Sequence, residues 1–382
     1  MDFAMRNYRQ EFSDFSPVVY LDCAYQGPFP RVTVERLRHA IELKAHPDRL
    51  KAPEYFLLPK RVRTRIACLT GADPEEIAVT NSATQGIGIV AAGLALGGGD
   101  EVVVASSNFP ANLFTWLHLR RKGVTVKVVR VSGGEVTLDL VAAALTPCTR
   151  VLALDWVNYS TGYKIDLNSF GSLVHARGGI FVIDASQGVG AIELNLHETP
   201  VDVVACAAYK WLLGPYGTGF AYVRRDLWNQ LDLPVINWYS VEGAEDFDAL
   251  PKDEFRLIHD ARVFDSGETA NFINLHGLEA SLELVEEVTI RMVNNHCLRL
   301  LRRLAEGLRA QGYTLSAAAL PGHDSAILGF RASTLEGTAE LHQKLLVNHI
   351  AVSLRQGMIR VSPYLYNDDA DIDRLLKVAS PA

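Results

Sequence analysis

Seven short apolar runs, separated by longer amphipathic stretches, constrain the fold of this chain more than any other feature of its sequence. The runs lie at residues 77–80, 101–106, 124–131, 150–157, 179–184, 201–207 and 219–223. Stretches with helical spacing lie at residues 85–95, 110–122 and 166–177. Several runs are nearly continuous Val, Ile and Ala, as expected of strands that are covered on both faces. The alternation predicts β-α-β units and therefore an α/β fold, with a mainly parallel sheet flanked by helices.

The pattern changes after residue 234. Leu, Val and Ile recur at helical spacing over residues 272–310, which predicts two long helices joined by a bend near residues 288–291. Beyond them, strands are predicted at residues 313–316, 325–331 and 358–362, and helices at residues 334–348 and 370–378. We therefore expect a large domain of residues 17–276 and a smaller α/β domain formed by residues 1–16 and 277–382.

Composition narrows the classes of partner. The chain has 382 residues and a formal net charge of −7, so a broad basic surface for nucleic acid or an anionic membrane is not expected. The five cysteines form no C-x-x-C pair and lie near no histidine cluster, so no metal site is expected. Scattered thiols, and the lack of an apolar run of about 20 residues, predict a cytoplasmic protein that acts on a small molecule.

One cation stands inside the apolar stretch at residues 201–223. Lys210 is flanked by Tyr209 and Trp211, and a glycine-rich turn follows at residues 214–219. A surface lysine is the ordinary interpretation, but burying an ammonium is costly unless it is paired, neutralised or chemically used. A lysine that forms a Schiff base becomes a reactive group instead of a buried charge. Lys210 is therefore a candidate covalent anchor.

Three further features place polar groups where a ligand could bind. Backbone N–H groups and hydroxyls at residues 80–86, where a strand leads into a helix, could hold an anion, although simple N-capping would explain the same residues. Asp184 ends a buried strand and points to the ligand crevice of an α/β fold, unless it caps a helix together with Gln187. Arg360 lies among apolar residues on a predicted strand, either at the surface or gripping a carboxylate with two parallel hydrogen bonds.

Together, an anion cradle, a buried carboxylate, a buried lysine and an arginine fit a pyridoxal 5′-phosphate (PLP) site that acts on an amino acid. The glycine-rich patterns of dinucleotide and ATP sites are absent. These residues resemble the class V aminotransferase family, fold type I PLP-dependent enzymes that include cysteine desulfurases, selenocysteine lyases, kynureninase and isopenicillin N epimerase-like proteins. The resemblance extends almost end to end, and its most specific part is K-W-L-L-G-P-Y-G-T-G-F at residues 210–220.

The resemblance implies a large PLP-binding domain, a smaller C-terminal domain and a homodimer with active sites near the interface. It implies that Lys210 holds PLP as an aldimine and acts as general base at the substrate Cα, while Asp184 keeps the pyridine nitrogen protonated. It assigns the substrate carboxylate to Arg360. The remaining implied contacts are with the cofactor: Gln187 at its phenolic oxygen, Ala83, Thr84 and Tyr209 at its phosphate, and Thr269 or Asn271 of the partner subunit also at the phosphate.

Three departures from the family bear on the reaction. Phe109 stands where related desulfurases stack a histidine on the cofactor ring, and Tyr159 stands where many relatives have an asparagine. Residues 353–357 lack the nucleophilic cysteine of desulfurases. We therefore expect an aminotransferase or a lyase that forms a carbanion at Cα of a small amino acid. The alternatives are a cysteine or selenocysteine C–S lyase or desulfurase-like enzyme, an epimerase, and a non-catalytic PLP-fold binding protein.

Overall fold

The computed structural model describes residues 8–232, 236–250, 253–267 and 271–380. Its strands are β1 (Val19–Tyr20), β2 (Ile77–Thr80), β3 (Glu101–Ala105), β4 (Thr125–Val129), β5 (Thr149–Asp155), β6 (Ile180–Asp184), β7 (Val203–Ala207), β8 (Gly219–Val223), β9 (Thr314–Leu315), β10 (Leu328–Arg331), β11 (Ile350–Ala351), β12 (Ser353–Arg355) and β13 (Met358–Val361). Its α-helices are α1 (Arg31–Ala45), α2 (Glu54–Thr70), α3 (Ala83–Gly93), α4 (Pro110–Leu117), α5 (Leu138–Ala144), α6 (Leu167–His175), α7 (Phe272–Val288), α8 (Ile290–Ala310), α9 (Leu335–Val347) and α10 (Asp369–Ala379).

Strands β2 to β8 form a seven-stranded sheet in the order β2-β8-β7-β6-β5-β3-β4. β8 runs antiparallel to both of its neighbours, and the remaining pairs are parallel. Residues 208–218 join β7 to β8 without a helix, whereas a crossover to a parallel strand needs a dozen or more residues, usually with a helix. The mainly parallel sheet and its flanking helices confirm the predicted α/β fold.

The central strands of this sheet are buried on both faces because their side chains alternate between two apolar layers. Along β3, Val103 and Ala105 pack into one layer, and Val102 and Val104 pack into the other. This burial explains the continuous apolar runs of the sequence. The runs predicted as strands agree in position with β2 to β8, and their ends differ by a few residues.

Three helices, α1, α2 and α5, were not predicted from the sequence. On α1, Val34, Leu37 and Ile41 recur at helical spacing, but only Thr33 and Ala40 are buried. α2 carries Pro59 in its interior, a residue that usually ends a helical pattern. α5 is only seven residues long.

Two long helices cover residues 272–310, as predicted. α7 and α8 are separated by Thr289, whose φ of 69° breaks the helical path. The Thr289 hydroxyl accepts a hydrogen bond from the Met292 N–H at 3.4 Å and so caps α8. α7 packs between neighbours that include α1 and α2, which explains why it is buried around most of its circumference.

A second sheet has the antiparallel order β12-β13-β10-β9. β1 pairs in parallel with β11, which brings Val19 and Tyr20 to this region. Leu300 on α8, Leu328 on β10 and Leu345 on α9 share its apolar core. The division of the chain at residues 16 and 276 stays a prediction. Among the helices of the described residues, none has the length and apolar character needed to cross a membrane.

Candidate active site

Lys210 lies in the loop between β7 and β8. The residue is buried, with 6% of its surface exposed. Its Nζ lies 5.2 Å from the centre of the Phe109 ring and 5.6 Å from the centre of the Tyr209 ring. The Leu213 N–H donates to the Lys210 carbonyl at 3.1 Å, and the Gly27 N–H donates to the Tyr209 carbonyl at 2.9 Å. The predicted burial of this lysine is confirmed, and its backbone is held on two sides.

Burial and nearby charges together set the protonation of Lys210. Burial lowers the pKa of its ammonium group, and the negative charge of Asp184 opposes that shift. The positive charge of Arg360 lowers the pKa further. A lowered pKa favours the neutral amine, which is the form that acts as a nucleophile or a base. The site therefore favours a reactive amine at Lys210.

Asp184 and Asp155 end the adjacent parallel strands β6 and β5, and they are paired in the strand register. Asp184 is buried, and its Oδ1 accepts a hydrogen bond from the Ser186 N–H at 2.9 Å. Asp155 accepts hydrogen bonds from the Phe109 N–H at 2.6 Å and from Asn112 Nδ2 at 3.0 Å. Burial and the neighbouring charge of Asp184 raise the pKa of Asp155 to about 8. Two adjacent buried carboxyl groups disfavour double ionisation, so Asp155 tends to retain its proton.

Two acidic residues near the candidate site, Asp155 and Asp22, were not among the site residues predicted from the sequence. Asp155 carries the same signal that identified Asp184, since it is a carboxylate at the end of an apolar strand, and the signal could have been applied to both. Asp22 follows the two-residue strand β1, too short for any apolar pattern. Only the folded chain places Asp22 beside the site.

Phe109 immediately precedes α4, and its N–H is held by the Asp155 carboxylate. Its ring meets the Tyr159 ring edge to face, with 5.3 Å between the ring centres. The Tyr159 hydroxyl accepts a hydrogen bond from Gln356 Nε2 at 2.9 Å. The structure therefore brings Lys210, Phe109 and Tyr159 together, and the turn between β12 and β13 meets them through Gln356.

Arg360 lies on β13 and has 2% of its surface exposed, so the surface interpretation of this arginine is wrong. Its Nη2 donates to Asp22 Oδ1 at 2.8 Å, and its Nη1 donates to the Tyr159 carbonyl at 2.7 Å. The Ser353 hydroxyl donates to the other oxygen of Asp22. Arg360 Nε is buried and has no hydrogen-bond partner among the described residues. A buried donor without a partner costs about 1–3 kcal/mol, so this edge of the guanidinium is suited to an anionic ligand.

The N-terminus of α3 follows β2. Ser82 is the N-cap, and its hydroxyl accepts a hydrogen bond from the Gln85 N–H at 3.2 Å. Ala83 and Thr84 belong to the first helical turn, whose N–H groups have no partners within the helix. Both interpretations of this segment are therefore compatible: Ser82 caps the helix, and neighbouring N–H groups are left for an anion.

Gln187 is buried and already makes two hydrogen bonds to protein groups. Its Nε2 donates to the Ala24 carbonyl at 3.0 Å, and its Oε1 accepts from Trp211 Nε1 at 2.9 Å. An amide NH₂ has two hydrogens, so one remains for another acceptor. The implied contact of Gln187 with the cofactor's phenolic oxygen stays a prediction.

Asn271 immediately precedes α7 and has a left-handed backbone with φ of 62°. It lies beside the glycine-rich turn of its own chain, since a Cβ on Gly217 would be 3.3 Å from Asn271 Oδ1. Thr269 lies outside the described residues. The contacts of Thr269 and Asn271 with a partner subunit's phosphate stay predictions.

The residues present fit PLP. The cofactor requires an amine for its aldehyde, a carboxylate for its ring nitrogen and an anion site for its phosphate. Lys210, Asp184 and the first turn of α3 would supply these groups, and the orphaned Arg360 Nε would meet a substrate carboxylate. In the parts of the chain that the structure describes, no three His, Cys, Asp or Glu residues are grouped as metal ligands.

Comparison with known proteins indicates the same cofactor. The model of the family "Aminotransferase class-V" matches residues 20–375. A probable cysteine desulfurase from Methanothermobacter thermautotrophicus is 27% identical, over 94% of this chain and 92% of the relative. An isopenicillin N epimerase from Amycolatopsis lactamdurans is 24% identical, over 97% of each chain.

The likeness extends to solved structures. A C-DES mutant with glycine covalently linked to its PLP cofactor has a TM-score of 0.87 and 22% sequence identity, covering 97% of this chain and 98% of that chain. This likeness shows that the fold is that of the fold type I PLP-dependent enzymes. Since the family match covers nearly the whole chain and the site carries the groups that PLP requires, the chain belongs to the aminotransferase class-V family of PLP-dependent enzymes.

Proposed function

We propose that this enzyme removes the α-proton of an L-amino acid with Lys210 as its single base, in aminotransfer or in elimination of a β substituent. The observation that carries the proposal is the buried amine of Lys210, 5.2 Å from the centre of the Phe109 ring and within electrostatic reach of Asp184. Bound PLP supplies an electron sink for the negative charge that develops at Cα. Lys210 would accept the proton, Asp184 would bind the ring nitrogen, and Arg360 would orient the substrate carboxylate.

The neighbourhood of Lys210 argues against a two-base epimerase. Such an enzyme needs a proton-transferring group on each side of Cα, and the ring that lies over Lys210 belongs to Phe109, which transfers no proton. Burial raises the pKa of the neighbouring Tyr159, so this phenol keeps its proton and is a poor base. A single base is sufficient for aminotransfer and for elimination.

The position of Tyr159 is suited to the elimination reaction, the second of the two reactions proposed. Its oxygen accepts a hydrogen bond from Gln356, so its own O–H remains able to donate. Because burial keeps the phenol protonated, its O–H can donate a hydrogen bond to a leaving group at Cβ. We therefore expect Tyr159→Phe to slow elimination more than aminotransfer.

The cysteines argue against a mechanism that forms a persulfide on the enzyme. Cys23, Cys206 and Cys297 are buried, and burial raises the pKa of Cys206. The nucleophile in such chemistry is the thiolate, which these surroundings disfavour. The exposed Cys68 and Cys148 lie on α2 and just before β5. Desulfuration through an enzyme cysteine is therefore the weaker alternative.

The short connection between β12 and β13 also argues against desulfuration through an enzyme cysteine. Only Gln356 and Gly357 join the two strands, and Gly357 has a positive φ of 76°. A two-residue turn of this kind leaves no length for a loop that could carry a thiol to the substrate.

We also propose that the enzyme is a cytoplasmic homodimer. A groove lined by residues that include Thr80 and Ser266 also contains Asn271, to which the family resemblance assigns a contact with the partner subunit's phosphate. All five cysteines are free, as is usual in a reducing compartment. Light scattering after size-exclusion chromatography gives the oligomeric state, and a monomer at micromolar concentration contradicts the dimer.

The reaction is tested by a screen of L-amino acids with the PLP-loaded enzyme. A new amino acid formed from an added 2-oxo acid identifies aminotransfer. Pyruvate with ammonia and the released β substituent, which is sulfide when the substrate is cysteine, identifies elimination if no acceptor is present, and loss of optical rotation alone identifies epimerisation.

Lys210→Ala tests the assignment of the base, and Lys122→Ala, an exposed lysine, is the matched control. We expect Lys210→Ala to lose both turnover and the borohydride-reducible attachment of the cofactor, while Lys122→Ala keeps both. A wild-type protein that takes up no PLP, or a Lys210→Ala variant with full turnover, contradicts the proposal.

A further inference from the structure

Arg355 is a second arginine close to Arg360 to which the proposed reaction gives no role. In the pairing of β12 with β13, Ser353 lies opposite Arg360, and Arg355 lies opposite Met358. Residues two apart on a strand share a face, and so do residues directly opposite each other. Ser353, Arg355 and Arg360 therefore lie on one face of this hairpin.

That face belongs to the active site. Arg360 and Ser353 both hold Asp22. The positive charge of Arg355 acts on the same groups, since it opposes the burial effects that raise the pKa values of Asp22 and Tyr159. Arg355 is thus close enough to the site for its charge to influence a bound substrate.

Two contacts fix where Arg355 lies. The Ser160 hydroxyl donates to the Arg355 carbonyl at 3.1 Å. The residues next to these two in the chain, Tyr159 and Gln356, are themselves hydrogen-bonded to each other. The guanidinium carbon of Arg355 lies 5.7 Å from the centre of the Tyr25 ring, and Tyr25 is 52% exposed. Arg355 is half-buried, so it lies on the solvent side of Arg360 at the entrance to the site.

The two arginines differ in their partners. Arg360 is neutralised by Asp22 at 2.8 Å. Arg355 donates from Nη1 to the Leu354 carbonyl at 3.1 Å, and no acidic side chain forms an ion pair with it in the described part of the chain. Arg355 therefore contributes an unbalanced positive charge at the entrance, in a position where it is half-shielded from water.

We propose that Arg355 binds an anionic group at the far end of the substrate side chain, so that the preferred substrate is an acidic amino acid. Diagonal neighbours on antiparallel strands are about 7–8 Å apart, so the two guanidinium groups are suited to two separate anions rather than to one. Arginine recognises carboxylates with paired hydrogen bonds. The inference rests on the proposed function, because it takes Arg360 as the site of the α-carboxylate.

The first test compares substrates of equal shape and different charge. The PLP-loaded wild-type enzyme is assayed with L-aspartate and L-glutamate against L-asparagine and L-glutamine. We expect at least a tenfold higher kcat/KM for the acids. Arg355→Gln should remove this preference mainly through KM, and Arg355→Lys should retain part of it. Arg331→Gln, an exposed arginine on β10 of the same sheet, should leave the preference unchanged.

The second test needs no turnover. Succinate and its half-amide succinamate are added separately to the holoenzyme, and the melting temperature is measured. Succinate should raise the melting temperature of the wild type more than succinamate does, and Arg355→Gln should abolish this difference.

Three outcomes are distinct. Equal losses for acids and amides in Arg355→Gln would assign Arg355 to the α-carboxylate and overturn the inference. Equal shifts of the wild-type melting temperature by succinate and succinamate would also overturn it. If no amino acid is turned over but succinate still depends on Arg355, the proposed reaction fails and the anion site at Arg355 stands.

Discussion

Gly27 is the position at which one added methyl group tests the architecture of the site most directly. A Cβ on Gly27 would lie 2.0 Å from the Lys210 carbonyl oxygen and 2.8 Å from Leu213 Cδ2. Favourable non-bonded contacts lie near 3.5 Å, so Gly27→Ala forces the two segments about 1 Å or more apart. Gly27 is absent from the residues with positive φ, and the clash is therefore the principal penalty of the substitution.

The magnitude of the Gly27→Ala effect follows from that displacement. Overpacking a tight contact costs about 1–3 kcal/mol of unfolding free energy. The displaced segment carries Lys210, and a misplacement of about 1 Å at a reacting group can cost about 10²-fold in rate. We therefore expect a loss of both stability and turnover, even though the added methyl group is chemically inert.

Urea denaturation gives the free energy of unfolding, and kcat/KM gives the effect on the site. Gly88→Ala is the matched control, because a Cβ on Gly88 meets nothing within 4 Å and the residue lies inside α3. In a helix interior this change stabilises by about 0.5–1 kcal/mol. Wild-type stability and turnover in Gly27→Ala would refute the claim that this contact positions Lys210.

Two further predictions concern the carboxylates. Asp184→Ala should lower turnover by about 10²–10³-fold, the usual cost of losing one preorganised electrostatic group, with little loss of bound PLP measured by absorbance; unchanged turnover contradicts its role. The folded-state pKa of Asp155 is raised from 3.8 to about 8, so this carboxyl group favours the folded state less and less as pH rises between those values. The free energy of unfolding is measured by urea titration at several pH values from 5 to 8. It should fall less with rising pH in Asp155→Asn than in the wild type, and an equal pH dependence in the two proteins contradicts the raised pKa.

Local patterns in the sequence were sufficient for the main elements of the fold. The apolar runs identify β2 to β8, because a strand covered on both faces must be apolar at nearly every position. The break between α7 and α8 is also visible in the sequence. α1 was missed although Val34, Leu37 and Ile41 recur at helical spacing, and its fully buried residues are the small Thr33 and Ala40.

Some charged residues of the site could be recognised in the sequence, and others only in the folded structure. Lys210 and Asp184 could be singled out as candidates by sequence alone, since a charged residue within or at the end of an apolar run must have a partner or a use. Asp22 and Arg355 could not, because their importance depends on contacts with residues far away in the chain. Asp22 lies 338 positions from the Arg360 that it neutralises.

The tertiary structure therefore decided which charges are balanced at the site. The sequence determined that a buried lysine, a carboxylate and an arginine are present. Strand pairing decided that Asp184 has Asp155 as a neighbour, that Arg360 is already paired with Asp22, and that Arg355 shares its face. The physical reason is that burial and apolar periodicity are recorded locally along the chain, whereas the interaction of two charges depends on a distance that only the folded chain sets.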